Sequence, residues 1–470
     1  MYAQPQWSKW SIPCLAAGVF WLSEAASLGP LAGLPLWIVG AGLLGSGVSQ
    51  LLWPGEPAIT QIGAFAGLLG GVVAIPALFV LGPLTGLLLA VFALAGAWGS
   101  GRMALQLEPH YPGVPLPSPD ARLAAWAAVD DVILGWEQWN AIGFPLDGTI
   151  ERVIDEVDQC CDLFEREGFL DKPEAYHVMP PDLTDPEISE RTAGGHTIEV
   201  LRFESGYSPA ASEPGRERWL GYDACRDGWA YVLRHPGPPR PWLIATNGYR
   251  MGFAGIDVRL FERFHQATTG LGLNVLIPVL PLHGPRRIGW HSGQGFLGVD
   301  VIDTLHAEAQ AMWDMRRLLS WIRNQDAPAI GAFGLSLGGY TTSVFSSLAE
   351  GLDCVVAGIP LTDIPRILIR HGASHQMCYA ESIGFDYDRV SDVLRPVSPL
   401  ALTPRVPREH RLIFGATADR LVPPDQVRDL WAHWEEPEMI WYDGTHVSFG
   451  SEARVWAGVD RTLREAGVAH

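Results

Sequence analysis

The chain has 470 residues, 48% of them hydrophobic and 18% charged, and a formal net charge of −19. That length holds two or three domains, and its wealth of aliphatic and aromatic side chains excludes a disordered chain. An acidic balance without any Lys/Arg block excludes a footprint for the phosphate backbone, so no nucleic-acid partner is expected. The average conceals a split: the first 102 residues carry only Lys9, Glu24, Glu56 and Arg102, and the remaining 31 basic and 50 acidic side chains all lie beyond them.

Gly/Pro pairs near Gly29-Pro30, Pro54-Gly55 and Gly82-Pro83 divide the uncharged region into stretches at 10–28, 34–53, 58–80 and 83–101. A spanning helix needs about 20 apolar residues. Residues 1–105 therefore read as a bundle of three to four transmembrane helices, the first being the weakest because it contains Pro13 and Glu24. Glu24 reads as an interfacial or bundle-facing residue rather than a proton carrier. Gly40, Gly42, Gly45 and Gly47 predict close helix packing. Without a small-residue cleavage site the region reads as retained, and with so few polar groups inside it as an anchor to the lipid bilayer rather than a transporter. Four spans leave both ends on one side, which Lys9 and Arg102 assign to the cytoplasm. The expectation is an integral membrane protein with a cytoplasmic catalytic domain; three spans would reverse one end.

Residues 106–195 form a linker and a helical neck. The Pro-rich stretch 107–119 predicts a stiff, extended segment. Over 120–140, Trp126, Ala127, Ile133, Leu134 and Trp139 recur near helical spacing. Over 150–164, Ile150, Val153, Ile154, Val157, Cys160, Cys161 and Phe164 make one apolar face, with Thr149 as a start and Gly168 as a stop. Vicinal Cys160 and Cys161 lie on or beside that face and read as packing residues, there being no second pair to suggest redox or metal chemistry.

From residue 196 to 470 the pattern becomes β-rich runs alternating with helices. Strands are predicted at 197–204, 229–234, 241–246, 274–280, 329–334, 354–359, 411–415 and 439–443, and helices at 256–270, 300–324, 337–350, 425–434 and 452–466. Continuous apolar strands are covered on both faces, so the fold class is α/β with a mostly parallel eight-stranded sheet. The insertion at 362–410 is long for a connection and reads as a lid.

The most specific local signal is Gly334-Leu-Ser336-Leu-Gly338-Gly339, which follows an apolar strand and precedes a helix. A strand–turn–helix of this kind presents a serine on a strained turn at a helix N-terminus, where amide donors favour developing negative charge. A serine hydroxyl needs a base. Asp419 follows the strand 411–415 and His446 the strand 439–443, supplying the acid and the histidine in the order Ser336, Asp419, His446.

These motifs resemble the α/β-hydrolase superfamily over residues 196–467, and within it the "α/β-hydrolase domain-containing 18"-like group. The finer likeness rests on Asn247-Gly248-Tyr249 after the third strand and Leu280-Pro-Leu-His-Gly-Pro-Arg286 after the fourth, while Ser398-Pro399 resembles a pair common among related esterases and peptidases. The resemblance implies an oxyanion hole made by the amide of Leu337 and one within the turn Asn247, Gly248, Tyr249, with Tyr249 favoured. Many members carry His-Gly at that turn where this chain carries Asn-Gly. His283-Gly284 is the alternative turn and Asp363 the alternative acid. His371 and His375 are spaced i,i+4 but lack an acidic partner placed as in a zinc helix, so no metal and no organic cofactor is expected.

The sequence thus predicts a membrane-anchored serine hydrolase that cleaves carboxylic esters of small molecules or lipids through an acyl-enzyme. The alternatives are a serine peptidase or amidase of the same fold and a catalytically idle anchored scaffold. Oligomeric state, acyl chain and head group are not legible in it.

Overall fold

A computed structural model describes residues 7–118, 120–140, 148–268, 270–372 and 374–469; the side chains of Asn140, Ser374 and His375 lie outside the described set, as does Pro119 of the predicted linker. The chain divides into two compact units. The first joins Met1–Gly143 to Ala416–Asp425 and Trp441–Glu452; the second holds Phe144–Gly415, Gln426–Ile440 and Ala453–His470. This division cuts across the expected boundaries at 105 and 195. The first helix of the predicted neck groups with the bundle and with two turns from late in the chain, and the second groups with the sheet.

The first unit contains α1 (Ile12–Leu28), α2 (Leu34–Leu52), α3 (Pro57–Val80), α4 (Pro83–Leu107) and α5 (Ala121–Asn140). The first four helices are long and apolar enough to cross a membrane. Each opens on a proline in its first turn, at Pro13, Pro35, Pro57 or Pro83, where the missing N–H has no helical partner to lose. Pro13 therefore starts its helix rather than weakening it. Trp21, Val39, Leu43, Leu89 and Ala93 form the bundle core, and Trp21 Nε1 donates to the Leu89 carbonyl at 3.1 Å. The outside stays apolar, with Val72, Phe79, Leu84 and Leu87 exposed.

Three of the four glycines expected at helix contacts are there. A Cβ at Gly40, Gly42 or Gly47 would fall 2.8 Å from Leu22, Ala66 or Leu15. Gly45 is the exception, facing open space.

Helix α5 packs on α3 and α4, and of the residues read at helical spacing Ala127 and Leu134 are buried and Trp126 and Ile133 half-buried. Trp139 is exposed, while Leu123, Ala124, Ala127, Ala128, Asp130, Asp131 and Leu134 are buried. Small residues decide the orientation: a Cβ at Gly101 would fall 1.9 Å from the Ala124 carbonyl oxygen, so the two backbones meet more closely than indole rings permit.

In the second unit α6 (Thr149–Glu167) starts at the predicted threonine and ends at Gly168, which is left-handed at φ 78°. The sheet strands are β1 (Glu187–Ala193), β2 (His196–Glu204), β3 (Asp227–Leu233), β4 (Trp242–Thr246), β5 (Asn274–Val279), β6 (Ile330–Leu335), β7 (Cys354–Gly358), β8 (Arg411–Ala416) and β9 (Glu438–Tyr442). The helices are α7 (Arg216–Leu220), α8 (Ala254–His265), α9 (Val301–Arg323), α10 (Leu337–Leu348), α11 (Ile364–His371), α12 (Ser374–Ser382), α13 (Tyr387–Leu394), α14 (Pro424–His433) and α15 (Ala453–Glu465).

The strand order is β1-β2-β3-β5-β4-β6-β7-β8-β9. Strand β3 runs antiparallel to both β2 and β5, and β5, β4, β6, β7 and β8 run parallel. Every residue of β4 through β8 is buried, which is why these strands read as unbroken apolar runs. The eight strands β2 to β9, with one reversed strand near the start, make the α/β-hydrolase fold. The ninth strand, β1, is added at the edge by a hairpin through Gly194 and Gly195, both at positive φ. Six of its seven residues are exposed, so no apolar pattern marked it.

Within the insertion at 362–410, α13 packs against α6 and α9. Cys161 Sγ donates to the Arg389 carbonyl at 3.3 Å, and both neck cysteines are buried and unbridged. Burial raises both thiols, Cys161 to about 11, which suits packing and not nucleophilic chemistry.

Candidate active site

Ser336 lies between β6 and α10 with φ 57° and ψ −118°. Serine rarely adopts this left-handed region, and holding it there costs about 1–3 kcal/mol. Its neighbours explain how the turn closes. A Cβ at Gly334 would fall 2.0 Å from the Gly338 carbonyl oxygen, and one at Gly338 2.2 Å from the Thr246 carbonyl oxygen. Glycine at both positions lets α10 sit directly on the strand ends. From Ile330 to Ala349 every residue is buried except Ser336, which is half-buried, so it is the one open position in an otherwise closed layer.

The site lies where the strand order reverses. Chain connections leave β4 toward β5 on one side and return to β6 on the other, so the ends of β4 and β6 flank a crevice of the kind that binds ligands in open α/β sheets. Thr246 pairs with Gly334, which brings Asn247, Gly248 and Tyr249 beside the serine turn. A Cβ at Gly248 would fall 3.4 Å from Ser336 Cβ. Leu337 opens α10, and its N–H is one of the four that an α-helix leaves without an internal partner.

The predicted acid and base meet in the first unit. Asp419 Oδ1 accepts the N–H groups of Leu421 and Val422 at 3.0 and 2.8 Å, which leaves Oδ2 to face His446 Nδ1 at 2.7 Å. A carboxylate partner makes Nδ1 the protonated nitrogen and Nε2 the basic one. Thr445 and Ser448 close a capping box around His446, and both Asp419 and His446 are buried. Burial alone would lower the imidazole; the charge and hydrogen bond of Asp419, with the charge of Asp130, reverse that and raise it. Ser336, Leu337, Asn247, Gly248 and Tyr249 belong to the second unit and Asp419 and His446 to the first.

The competing residues have other occupations. Asp363 caps α11, accepting from Arg366 N at 3.0 Å, and also pairs with the Arg366 guanidinium. His283 Nδ1 bonds the Pro281 carbonyl at 2.9 Å, and burial holds its imidazole at about 4. The side chain of His375 is outside the described set, and among the described residues no group of three or more His, Cys, Asp or Glu is arranged to hold a metal ion.

Sequence reasoning missed Asp130, whose Oδ2 accepts the backbone N–H of His446 at 3.1 Å and of Arg420 at 3.3 Å. It also missed Asp131, which meets Arg420 Nε at 2.5 Å. The available signal was a pair of aspartates interrupting the small apolar residues of a helical pattern.

No family model matches the chain. Solved structures to which it is similar include acetyl xylan esterase 1 from Thermoanaerobacterium sp. JW/SL YS485, at 15% identity, covering 62% of this chain and 91% of that one with a TM-score of 0.43. An S-formylglutathione hydrolase from Agrobacterium tumefaciens matches at 15% identity over 60% of this chain and 100% of that one, with a TM-score of 0.40. Two proteins of Mycobacterium tuberculosis, the uncharacterized protein MT2702 of strain CDC 1551 / Oshkosh and the uncharacterized protein Rv2627c of strain ATCC 25618 / H37Rv, are each 40% identical over 365 residues, 76% of this chain and 85% of theirs. The chain belongs to the family of these mycobacterial proteins.

Proposed function

We propose that the protein is a membrane-anchored serine hydrolase that cleaves carboxylic esters by acyl transfer. The observation that carries this reading is the strained turn at half-buried Ser336, at the switch point of an α/β-hydrolase sheet. The Asp419–His446 hydrogen bond supports it, since it leaves Nε2 free of its proton to act as base. In the proposed cycle His446 Nε2 takes the Ser336 hydroxyl proton as Oγ bonds the substrate carbonyl carbon. The Leu337 amide and one from the turn 247–249 stabilise the oxyanion. His446 then returns the proton to the leaving alcohol as the C–O bond breaks, and water, activated by the same imidazole, releases the acid. Each oxyanion donor contributes about 3–4 kcal/mol of transition-state stabilisation.

The four apolar helices support an anchor in the bilayer, and an anchored site favours lipid esters as substrates. The acidic remainder of the chain disfavours electrostatic docking on an anionic leaflet, so contact with lipid comes through the helices. The likeness to the "α/β-hydrolase domain-containing 18"-like group rests on the turns at 247–249 and 280–286 and adds no substrate.

The test is fluorophosphonate labelling of detergent-solubilised protein, with hydrolysis of acyl esters of graded chain length and Ser336→Ala alongside. Labelling and turnover lost in Ser336→Ala are expected. A folded wild type that does not label removes the serine-hydrolase reading, and turnover of peptides without esters moves it to a peptidase. Protease accessibility of the C-terminus in intact cells tests the cytoplasmic side; digestion from outside refutes it.

A further inference from the structure

We propose that Asp130 of α5 is a positioning residue for the acid–base pair, so that the helical bundle is part of the catalytic apparatus as well as its anchor. The inference rests on the serine-hydrolase reading and extends it to a segment outside the sheet.

One oxygen of Asp130 spans two turns that are distant in sequence. Oδ2 accepts the N–H of His446 itself and the N–H of Arg420, the residue directly after Asp419. The base and the residue that follows the acid are thus held by their backbone N–H groups at a common point, independently of the side-chain bond between Asp419 and His446. The Arg420 side chain extends the clamp into the bundle. Its guanidinium meets Asp131 of α5 at 2.5 Å, the Ala104 carbonyl near the end of α4 at 3.0 Å, and Glu108, which caps α4. Asp130, Asp131 and Arg420 are all buried.

Packing alone does not account for Asp130. Apart from Asp131, which pairs with Arg420, the buried residues of α5 around it are leucine and alanine, and an apolar residue there continues the contact at less cost. Its second oxygen, Oδ1, is buried without a hydrogen-bond partner, and buried carboxylates left half-satisfied are unfavourable unless something else requires them. Holding two loop backbones that carry the acid and the base is such a requirement. Burial, followed by the neighbouring charge of Asp419, pushes the Asp130 carboxyl up, but the amide contacts need only an acceptor oxygen.

This separates two substitutions. Asp130→Leu keeps the branch at Cγ and suits an apolar helix face, but it is larger than aspartate and removes the acceptor, so Tm is measured beside kcat. Asp130→Asn keeps an acceptor for both amides. Misplacing a catalytic group by about 1 Å costs about 100-fold in rate, so Asp130→Leu is expected to lower kcat about 100-fold while KM stays within about threefold and Tm is maintained. Asp130→Asn is expected to recover at least about tenfold of that loss.

Both are measured on the full chain in detergent with a short-chain ester, against wild type and Ser336→Ala. Asp130→Leu within threefold of wild type, or a folded Asp130→Asn no better than Asp130→Leu, overturns the proposal while wild-type labelling leaves the serine-hydrolase reading standing. Wild type that neither labels nor turns over esters overturns both.

Discussion

Replacing Gly338 by alanine tests the serine turn without touching a reacting group. A Cβ there would fall 2.2 Å from the Thr246 carbonyl oxygen, 2.7 Å from the Thr246 carbonyl carbon and 2.5 Å from the Asn247 carbonyl oxygen. Close carbon–oxygen contacts lie near about 3.3 Å, so the methyl is short of room by about 1 Å. All three obstructing atoms are backbone, and no side chain can rotate out of the way. The first turn of α10 must therefore retreat from the end of β4, moving the Leu337 amide away from the turn at 247–249. A shift of about 1 Å costs about 100-fold in rate, and overpacking of this kind about 1–3 kcal/mol in stability. Gly255→Ala is the control: it lies in α8 with nothing within 4 Å of its Cβ, and alanine there gains up to about 1 kcal/mol of helix propensity. The assay is kcat/KM on a short-chain ester with Tm measured in the same detergent. Gly338→Ala within threefold of wild type in kcat/KM, at unchanged Tm, refutes the role given to the close approach of α10 and β4.

Two aspartates separate by substitution. Asp419→Asn is expected to lower kcat about 10⁴-fold, the size of the effect when a triad acid is made neutral, whereas Asp363→Asn retains its cap on α11 and leaves kcat within about twofold; the opposite result makes Asp363 the acid. Because Asp419 raises His446 against the effect of burial, the acid limb of kcat/KM is expected above the ordinary histidine value of about 6.5, and to move down in Asp419→Asn. A wild-type midpoint below that value contradicts the pairing. The same shift makes the pair's contribution to stability full below about pH 6.5 and lost as pH rises through the raised value, which a Tm series across pH reads directly. Glu308 on α9 is buried, accepts from Thr341 Oγ1 at 3.1 Å, and is pushed up to about 8 by burial. The folded state then holds a proton that the unfolded state releases above its ordinary value, so stability falls as pH rises from about 4.5 to 8; Glu308→Gln is expected to flatten that slope, and an unchanged slope rejects the assignment.

The sheet was legible because its strands are buried on both faces. β4 to β8 have no exposed residue, and continuous apolar runs between Gly/Pro turns identify such strands directly. β1 was invisible for the converse reason: Glu187-Ile-Ser-Glu-Arg-Thr-Ala193 is exposed and forms by pairing with β2 alone. Gly334, Ser336, Gly338, Asp419 and His446 were legible because turn chemistry and chain order are local properties.

Asp130 and Asp131 were not legible, and the reason reaches the domain boundary itself. The helical spacing of Trp126, Ala127, Ile133, Leu134 and Trp139 predicts a helix over 120–140 without fixing which face packs. The packing is decided instead by Ala124, which meets Gly101 so closely that only small residues fit. Asp130 and Asp131 are buried together with Ala124. Their partners, the N–H groups of His446 and Arg420, lie about 300 residues later, and no periodicity connects positions so far apart. A boundary drawn where hydropathy changes, near residue 105, parts α5 from the helices with which it forms one compact unit. Within the first unit, residues 416–425 and 441–452 are hydrogen-bonded to α4 and α5 through Arg420 and His446. On the proposed function, removing the bundle would release the protein from the bilayer and also strip the acid and the base of the carboxylate that holds their backbones. A truncated soluble form should then fold its sheet and fail in kcat, as Asp130→Leu does in the full chain.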